Sequence, residues 1–174
     1  GLDLKIKLEN ASNLIFRSRP GMFSLFDYVN DTLRLESKPT ALANFNGRLY
    51  AFDENNTYKI NQLNLTIEDK FEGIGCLSKD SVLVTEYGMF YADKNGAYMH
   101  SGGAPIKISQ AIHRGGDIQT VFGGTDNIKD VSWENVVTKS DAKDVAVFFD
   151  TNISCVCFKV EYLGTETDGT SKSI

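Results

Sequence analysis

The side chains that could bind a metal ion are few and scattered. The 174 residues contain three cysteines and two histidines. Cys155 and Cys157 would share one face of a strand, with Cys76 as the only other thiol. A zinc site needs three or four ligands, usually closely spaced, and His100 and His113 stand in different contexts. We therefore interpret the cysteine pair as small residues facing a core, the usual place of a free thiol, and predict no metal and no cofactor.

One motif imitates the start of a calcium-binding loop. Asp53, Asn55 and Thr57 have the alternate spacing of the first ligands of such a loop. The sixth position should then be glycine but is Tyr58, and the twelfth should be glutamate but is Asn64. We predict a tight turn, in which the Asp and Asn side chains bond their own backbone.

Nothing in the chain assembles into a catalytic signature. Gly73-x-Gly75 is a fragment of a phosphate-binding pattern, but no helix follows to aim amides at a phosphate. A β-bulge or a corner between two sheets is the better interpretation. Neither a Ser-His-Asp order nor a nucleophile elbow is present. We therefore predict a non-enzyme with no catalytic residues. A hydrolase would need clustered carboxylates with shifted pKa values in a pocket.

Composition and charge exclude several classes of protein. The chain has 41% hydrophobic residues and a net charge of −5, which is typical of a folded globular protein. The longest apolar run, Val145 to Phe149, is too short to span a bilayer. No Lys/Arg run is available to neutralise phosphates, so nucleic acid is not expected as the primary ligand. The first residue is not Met, which indicates a processed product or a segment of a longer protein.

Short strands separated by turn residues dominate the chain, and their pattern repeats about every 40 residues. Asn46-Gly47 is a strong hairpin signal, and further turns are predicted at Gly88 and at Asn95-Gly96. The recurring positions are Gly47, Tyr50 and Ala51 with Gly88, Tyr91 and Ala92, and Asn55 and Tyr58 with Asn95 and Tyr98. A weaker third copy runs from Asp144 to Asp150 and from Ser154 to Val160.

A repeat of this length with four short strands is typical of β-propeller blades. We therefore predict an all-β protein with antiparallel, propeller-like blades, in about three four-stranded units that could belong to a larger propeller. The alternative is a β-sandwich. Residues 1–40 would be N-terminal strands, either an incomplete blade or a segment that pairs with a partner. Residues 41–163 would form the propeller-like domain with a polar loop near 113–135, and 164–174 a polar tail.

Candidate partner contacts are one aromatic residue and a few basic ones. Trp133 stands beside the polar loop, and we expect it to be an exposed anchor. The other candidates are Arg17, Arg19, His113 and Arg114.

The repeated middle resembles the propeller region of short-tailed bacteriophage tail proteins of the nozzle or head-completion (DNA-stabilisation) type. The resemblance covers roughly residues 40 to 160. It departs in size, because a six-bladed propeller of about 40 residues per blade would need a longer chain. The segments that carry it are Asn46–Phe52, Thr57–Ile60, Phe71–Cys76, Val82–Asp93, Gly96–Tyr98, Gly103–Ser109 and, as a later blade, Val145–Phe158.

The resemblance implies a non-catalytic structural protein of the virion tail, assembled in the host cytoplasm. It implies a homo-oligomeric ring, sixfold, around the DNA exit channel. Its neighbours would be other tail proteins or portal and adaptor proteins. DNA would touch it in passing, without sequence-specific binding, and no membrane would be involved. Net negative charge suits a channel through which DNA slides.

The alternative function is a binding module, a propeller or sandwich that recognises glycans or a host receptor. It would expose aromatic side chains near polar loops such as residues 123–133.

Overall fold

A computed structural model describes residues 12–110, Trp133 and residues 145–160. These residues form antiparallel β-sheets, as predicted from the sequence. No helix in this part of the chain is long and apolar enough to cross a membrane. The strands are β1 (Leu14–Phe16), β2 (Ser18–Arg19), β3 (Met22–Phe26), β4 (Thr32–Arg34), β5 (Ala41–Phe45), β6 (Arg48–Phe52), β7 (Asn56–Asn61), β8 (Thr66–Glu72), β9 (Val82–Val84), β10 (Met89–Ala92), β11 (Ala97–His100), β12 (Ile106–Lys107), β13 (Val145–Asp150) and β14 (Cys155–Val160).

Two four-stranded sheets form the middle of the molecule. The first sheet contains β5 to β8 and the second contains β9 to β12, each with its strands in chain order. The last strand of the first sheet begins at Thr66. Leu65 has a φ of 54°, and the Leu63 amide donates to the Asn61 side chain. These residues therefore turn, and the strand starts after them.

The first hairpin turn has the geometry that its sequence favours. Asn46 and Gly47 have φ values of 49° and 70° and connect β5 to β6. Positive φ at both central residues is the requirement of the type I′ turn, whose twist matches that of the flanking strands. Gly88 is not a central residue of its hairpin turn. The Thr85 amide donates to the Gly88 carbonyl, so Gly88 directly follows the two central residues.

Replacing Gly47 with alanine should lower the free energy of unfolding by about 1 kcal/mol, because a Cβ strains the left-handed backbone. No atom lies within 4 Å of that Cβ, so a steric clash would not add to the cost. The matched control is Asn46→Gly, which should change stability by only a few tenths of a kcal/mol, since glycine adopts positive φ freely. Urea unfolding of both variants measures the difference, and equal values would contradict this turn geometry.

The two sheets repeat one another, but not at the spacing that the aromatic residues suggest. Ala51 pairs with Tyr58 on the first sheet, and Tyr91 pairs with Tyr98 on the second. Tyr91 is therefore equivalent to Ala51, not to Tyr50. The match of Tyr50 with Tyr91 is one residue out of register, and because side chains alternate along a strand it relates opposite faces.

The sheets are stacked face to face, with a hairpin at each end of the stack. The first is the arm, residues 14–34, in which β1 pairs with β4 and β2 with β3. The second is the end hairpin, β13 and β14. In the described residues the third repeat contains these two strands. Residues 1–11 and 161–174, and most of the loop near 113–135, lie outside the described residues.

Three apolar clusters hold these layers together. The arm packs on the first sheet through Ile15 and Leu33, together with Leu35, which directly follows the arm. The two sheets pack through large rings that include Phe52 and Tyr91, whose centroids are 4.9 Å apart. The third cluster joins the second sheet to the end hairpin, and its buried members are Ala92, Ala97, Trp133, Val145 and Val160. The order of the stack is therefore arm, first sheet, second sheet, end hairpin.

Candidate interaction surfaces

A buried aspartate closes the equivalent turn of each four-stranded sheet. One Asp53 carboxylate oxygen accepts the amides of Asn55 and Asn56, at 2.7 and 2.6 Å. In the second sheet Asp93 accepts the amides at Asn95 and Gly96, at 2.7 and 2.8 Å. Both aspartates are fully buried. The calcium-like spacing at Asp53 therefore forms a tight turn in which the carboxylate binds backbone amides.

The second oxygen of each aspartate has different partners, and the pKa values move in opposite directions. Burial alone would raise the pKa of Asp53. Hydrogen bonds that include those of Ser37, Asn56 and the Tyr58 hydroxyl outweigh it, so this pKa lies below its usual range. Asp93 accepts a long bond of 3.3 Å from the Gly75 amide at that oxygen, and the Tyr98 side chain also bonds this carboxylate. Burial prevails there and raises the pKa of Asp93.

The same substitution should therefore cost different amounts at the two turns. Asp53→Asn should lower the free energy of unfolding by about 2 kcal/mol at pH 7, the scale of lost charge-assisted hydrogen bonds. Asp93→Asn should cost less at pH 7, because it also removes a charge that burial disfavours.

The pH dependence of the two variants should have opposite sign. The contribution of Asp53 is present above its unfolded pKa of about 4 and is lost as pH falls through its lower folded value. The cost of Asp53→Asn therefore shrinks in acid. Asp93 contributes most when protonated, and that contribution is lost as pH rises through its raised folded pKa, so the cost of Asp93→Asn grows in acid. Urea unfolding between pH 7 and 3 measures both, and parallel profiles would contradict the assignment.

The Gly73-x-Gly75 segment is the corner that joins the two sheets. A Cβ on Gly75 would overlap the backbone of Glu54. Immediately after it, the Cys76 amide donates to the Asp53 carbonyl at 2.9 Å, and the Leu77 amide donates to the Ala92 carbonyl at 3.1 Å. The corner is therefore bonded to both sheets. Burial raises the pKa of Cys76 to about 12, so this thiol is protonated and part of the core.

A histidine and a tyrosine, which no sequence pattern had singled out, connect the two sheets in their shared core. The His100 Nε2 and the Tyr50 hydroxyl are 2.9 Å apart. His100 is only 1% exposed, and its ring lies against those of Tyr50, Phe45 and Phe71. Burial lowers the pKa of His100. It therefore remains neutral near pH 7 and links the sheets through a hydrogen bond and ring contacts.

The cysteine pair lies on the outside of the end hairpin rather than in a core, which corrects our expectation. Cys155 is exposed and Cys157 is partly exposed. Val145, Val147 and Val160 point the other way and are buried. Within the residues that the structure describes, no group of three or more His, Cys, Asp or Glu side chains could hold a metal ion.

Trp133 is buried, and the expectation that it is an exposed anchor is wrong. Its side chain is 4% exposed and packs edge-on against Phe158 at 6.0 Å between ring centroids. Its indole N–H donates to the Asp93 carbonyl at 2.9 Å. The polar sequence around this residue gave no sign that the ring would be covered. In this chain Trp133 is a core residue that holds the end hairpin to the second sheet.

The basic candidates near the N-terminus serve contacts within the chain. Arg17 binds the Asp31 carboxylate at 2.6 Å and donates to the carbonyls of Gln62 and Leu63. It thereby fastens the arm to the first sheet. Arg19 pairs with Asp27 at 3.1 Å across the arm. His113 and Arg114 lie outside the described residues.

The arm exposes an unusual amount of apolar surface, which sequence patterning alone did not reveal. All five residues of β3 are exposed. Its pairs with β2, Ser18–Phe26 and Arg19–Met22, leave the three residues between without a partner on that strand. The exposed large side chains are Phe16, Met22, Phe23, Leu25, Phe26, Tyr28 and Val29. Contiguous apolar surface on this scale usually marks an interaction site.

A second uncovered apolar surface lies at the other end of the stack. The outer face of the end hairpin carries Ala146, Phe148, Cys155 and Cys157, with the charged side chains Asp150 and Lys159 at its two ends. Phe148 is 47% exposed, and Ile153 in the adjoining turn is 62% exposed. We call the five uncharged residues, including Ile153, the end face. The molecule therefore has uncovered apolar side chains on its first and last layers.

The sequence matches no protein-family model and no curated protein significantly.

Proposed function

We propose that this chain is a non-catalytic structural component of a bacteriophage tail, of the nozzle or head-completion kind. In this proposal it belongs to a homo-oligomeric ring around the DNA exit channel and contacts neighbouring tail, portal or adaptor proteins. The propeller-like pattern of residues 40 to 160 supports it, because that pattern resembles the tail proteins. The stacked antiparallel sheets are compatible with such blades.

The observation that carries the proposal is the apolar surface of the arm. A protein that works alone in water rarely leaves Phe23 and Val29 83% exposed beside other large apolar side chains. Subunits of permanent assemblies bury such surface against neighbours, where it resembles a core cut in half. An assembly component therefore accounts for the arm better than an enzyme or a carrier would.

The net charge of −5 is consistent with a channel component. A wall that repels phosphates lets DNA slide without sticking. A basic wall facing the DNA would contradict this part of the proposal.

Gold-labelled antibodies raised against residues 12–110 test the location on virions of a phage whose genome encodes the chain. We expect label confined to the tail, at the vertex from which DNA leaves. A virion without label, in a preparation where the antibody recognises the denatured chain, would overturn the proposal.

The second candidate, a module that binds glycans or a host receptor, is favoured by one observation. Phe16 lies 6.4 Å from both Phe26 and Tyr28, ring centroid to ring centroid, and all three rings are partly exposed. Exposed rings can stack on sugars as well as on protein. A glycan array separates the candidates, since specific binding that is lost in Tyr28→Ala would favour the binding module.

A further inference from the structure

We propose that copies of this chain associate head to tail, with the arm of one copy packed on the end face of the next. The inference rests on the proposed function, because it names the interface from which the ring would be built. The partner that covers the arm is therefore a second copy of this chain.

The arm is large enough to supply one side of a stable interface. Its exposed side chains range from 38% exposed at Phe16 to 83% at Phe23 and Val29. Since a large aromatic side chain has roughly 200 Å² to bury, together they offer on the order of 700 Å². A standard interface buries about 800 Å² on each partner. The arm alone approaches that area.

The chemistry of the arm favours a protein partner. The charges beside its apolar residues are paired within the chain, Arg17 with Asp31 and Arg19 with Asp27. These arginines are therefore not available to phosphates or to anionic lipid headgroups. In the described residues β2 and β3 form a sheet of only two strands. Its open edges carry backbone groups that hydrocarbon cannot satisfy, whereas a protein surface can.

The end face has the properties of a strand surface that is usually buried against another protein layer. Residues 145 to 149 are an unbroken apolar run, which is typical of a strand buried on both faces. Val145 and Val147 bury one face against the second sheet. On the other face Phe148 pairs with Cys157, and both are uncharged. Asp150 and Lys159 lie at the two ends of this face. An apolar arm could cover the apolar centre and leave both charges at the rim of the interface, where polar groups are usual.

The placement of the two surfaces makes the contact heterologous. The arm lies on the first layer of the stack and the end face on the last, so one copy can use both at once. Contacts between two different surfaces propagate from copy to copy and close into a ring when the rotation permits. A contact of arm with arm would stop at a dimer.

The test uses the 174-residue chain and two double variants in sedimentation velocity. The arm variant is Phe23→Ser with Val29→Ser, and the end variant is Phe148→Ser with Ile153→Ser. We expect the wild type to sediment as multimers of the 19.3 kDa chain and each variant alone as a monomer. An equimolar mixture should form a dimer, because the intact end face of one variant accepts the intact arm of the other.

Three results would overturn the inference. A wild type that is monomeric at tens of micromolar would remove the self-association. Monomers in the mixture, with an oligomeric wild type, would show that the arm of one copy does not bind the end face of the next. An end variant that still oligomerises would show that the arm binds elsewhere. Far-UV circular dichroism checks the fold of each variant, and Ile106→Ser, at a site 62% exposed on the second sheet, should leave the oligomer intact.

The outcome is distinguishable from the test of the proposed function. Tail labelling together with a failed mixture would overturn only the head-to-tail contact. A successful mixture together with unlabelled virions would overturn only the location in a tail.

Discussion

Replacing Trp133 with alanine should lower the free energy of unfolding by about 3–5 kcal/mol, the range for removing a buried aromatic side chain. The ring fills the cluster that joins the second sheet to the end hairpin. Its loss would leave a cavity there and would also leave the Asp93 carbonyl without the indole N–H that it accepts. Urea unfolding followed by circular dichroism measures the loss.

The matched control is Phe23→Ala, which removes an aromatic ring that is 83% exposed. We expect this variant to unfold within about 0.5 kcal/mol of the wild type, as surface substitutions usually do, and to lose self-association. The two variants therefore separate a core residue from an interface residue. The opposite pattern, with Trp133→Ala stable but unable to associate, would restore the interpretation of Trp133 as an interface anchor.

Replacing Gly75 with alanine should lower the free energy of unfolding by about 3 kcal/mol, at the upper end of the usual cost of overpacking. The added Cβ would overlap the Glu54 carbonyl group, which belongs to the turn closed by Asp53. A backbone cannot move aside as a flexible side chain can. The corner would have to shift, and the neighbouring bond from the Cys76 amide to the Asp53 carbonyl would shift with it.

Gly103→Ala is the control for this prediction, because no atom lies within 4 Å of the added Cβ. It should change stability by less than about 0.5 kcal/mol. If Gly75→Ala changed stability as little as Gly103→Ala, the close approach of Gly75 to the Glu54 backbone would be contradicted.

The strands and turns could be predicted because local chemistry determines them. Asn46-Gly47 forms its turn whatever surrounds it, and alternation marks β5 to β7 and β10 to β11. The spacing of the repeat was harder to read. Tyr50 and Tyr91 look equivalent in the sequence but face opposite sides of their sheets, because a slip of one residue reverses the face.

The interaction surfaces could not be predicted, because exposure depends on which layers meet. Phe148 and Val147 are equally apolar neighbours, yet only Val147 is buried, since the second sheet covers one face of the hairpin. The same is true of Cys157, which we expected in a core. Arg17 is of a residue type that often contacts partners. In this fold, however, its guanidinium group donates hydrogen bonds to the carbonyls of Gln62 and Leu63 in the same chain.

Cryo-electron microscopy of a virion that contains this chain is the most direct test of the account. We expect the stack of arm, two sheets and end hairpin to fit density in a ring around the tail channel, with each arm against the end face of its neighbour. A tail whose channel-lining rings fit other chains, and in which this stack fits no density, would contradict it.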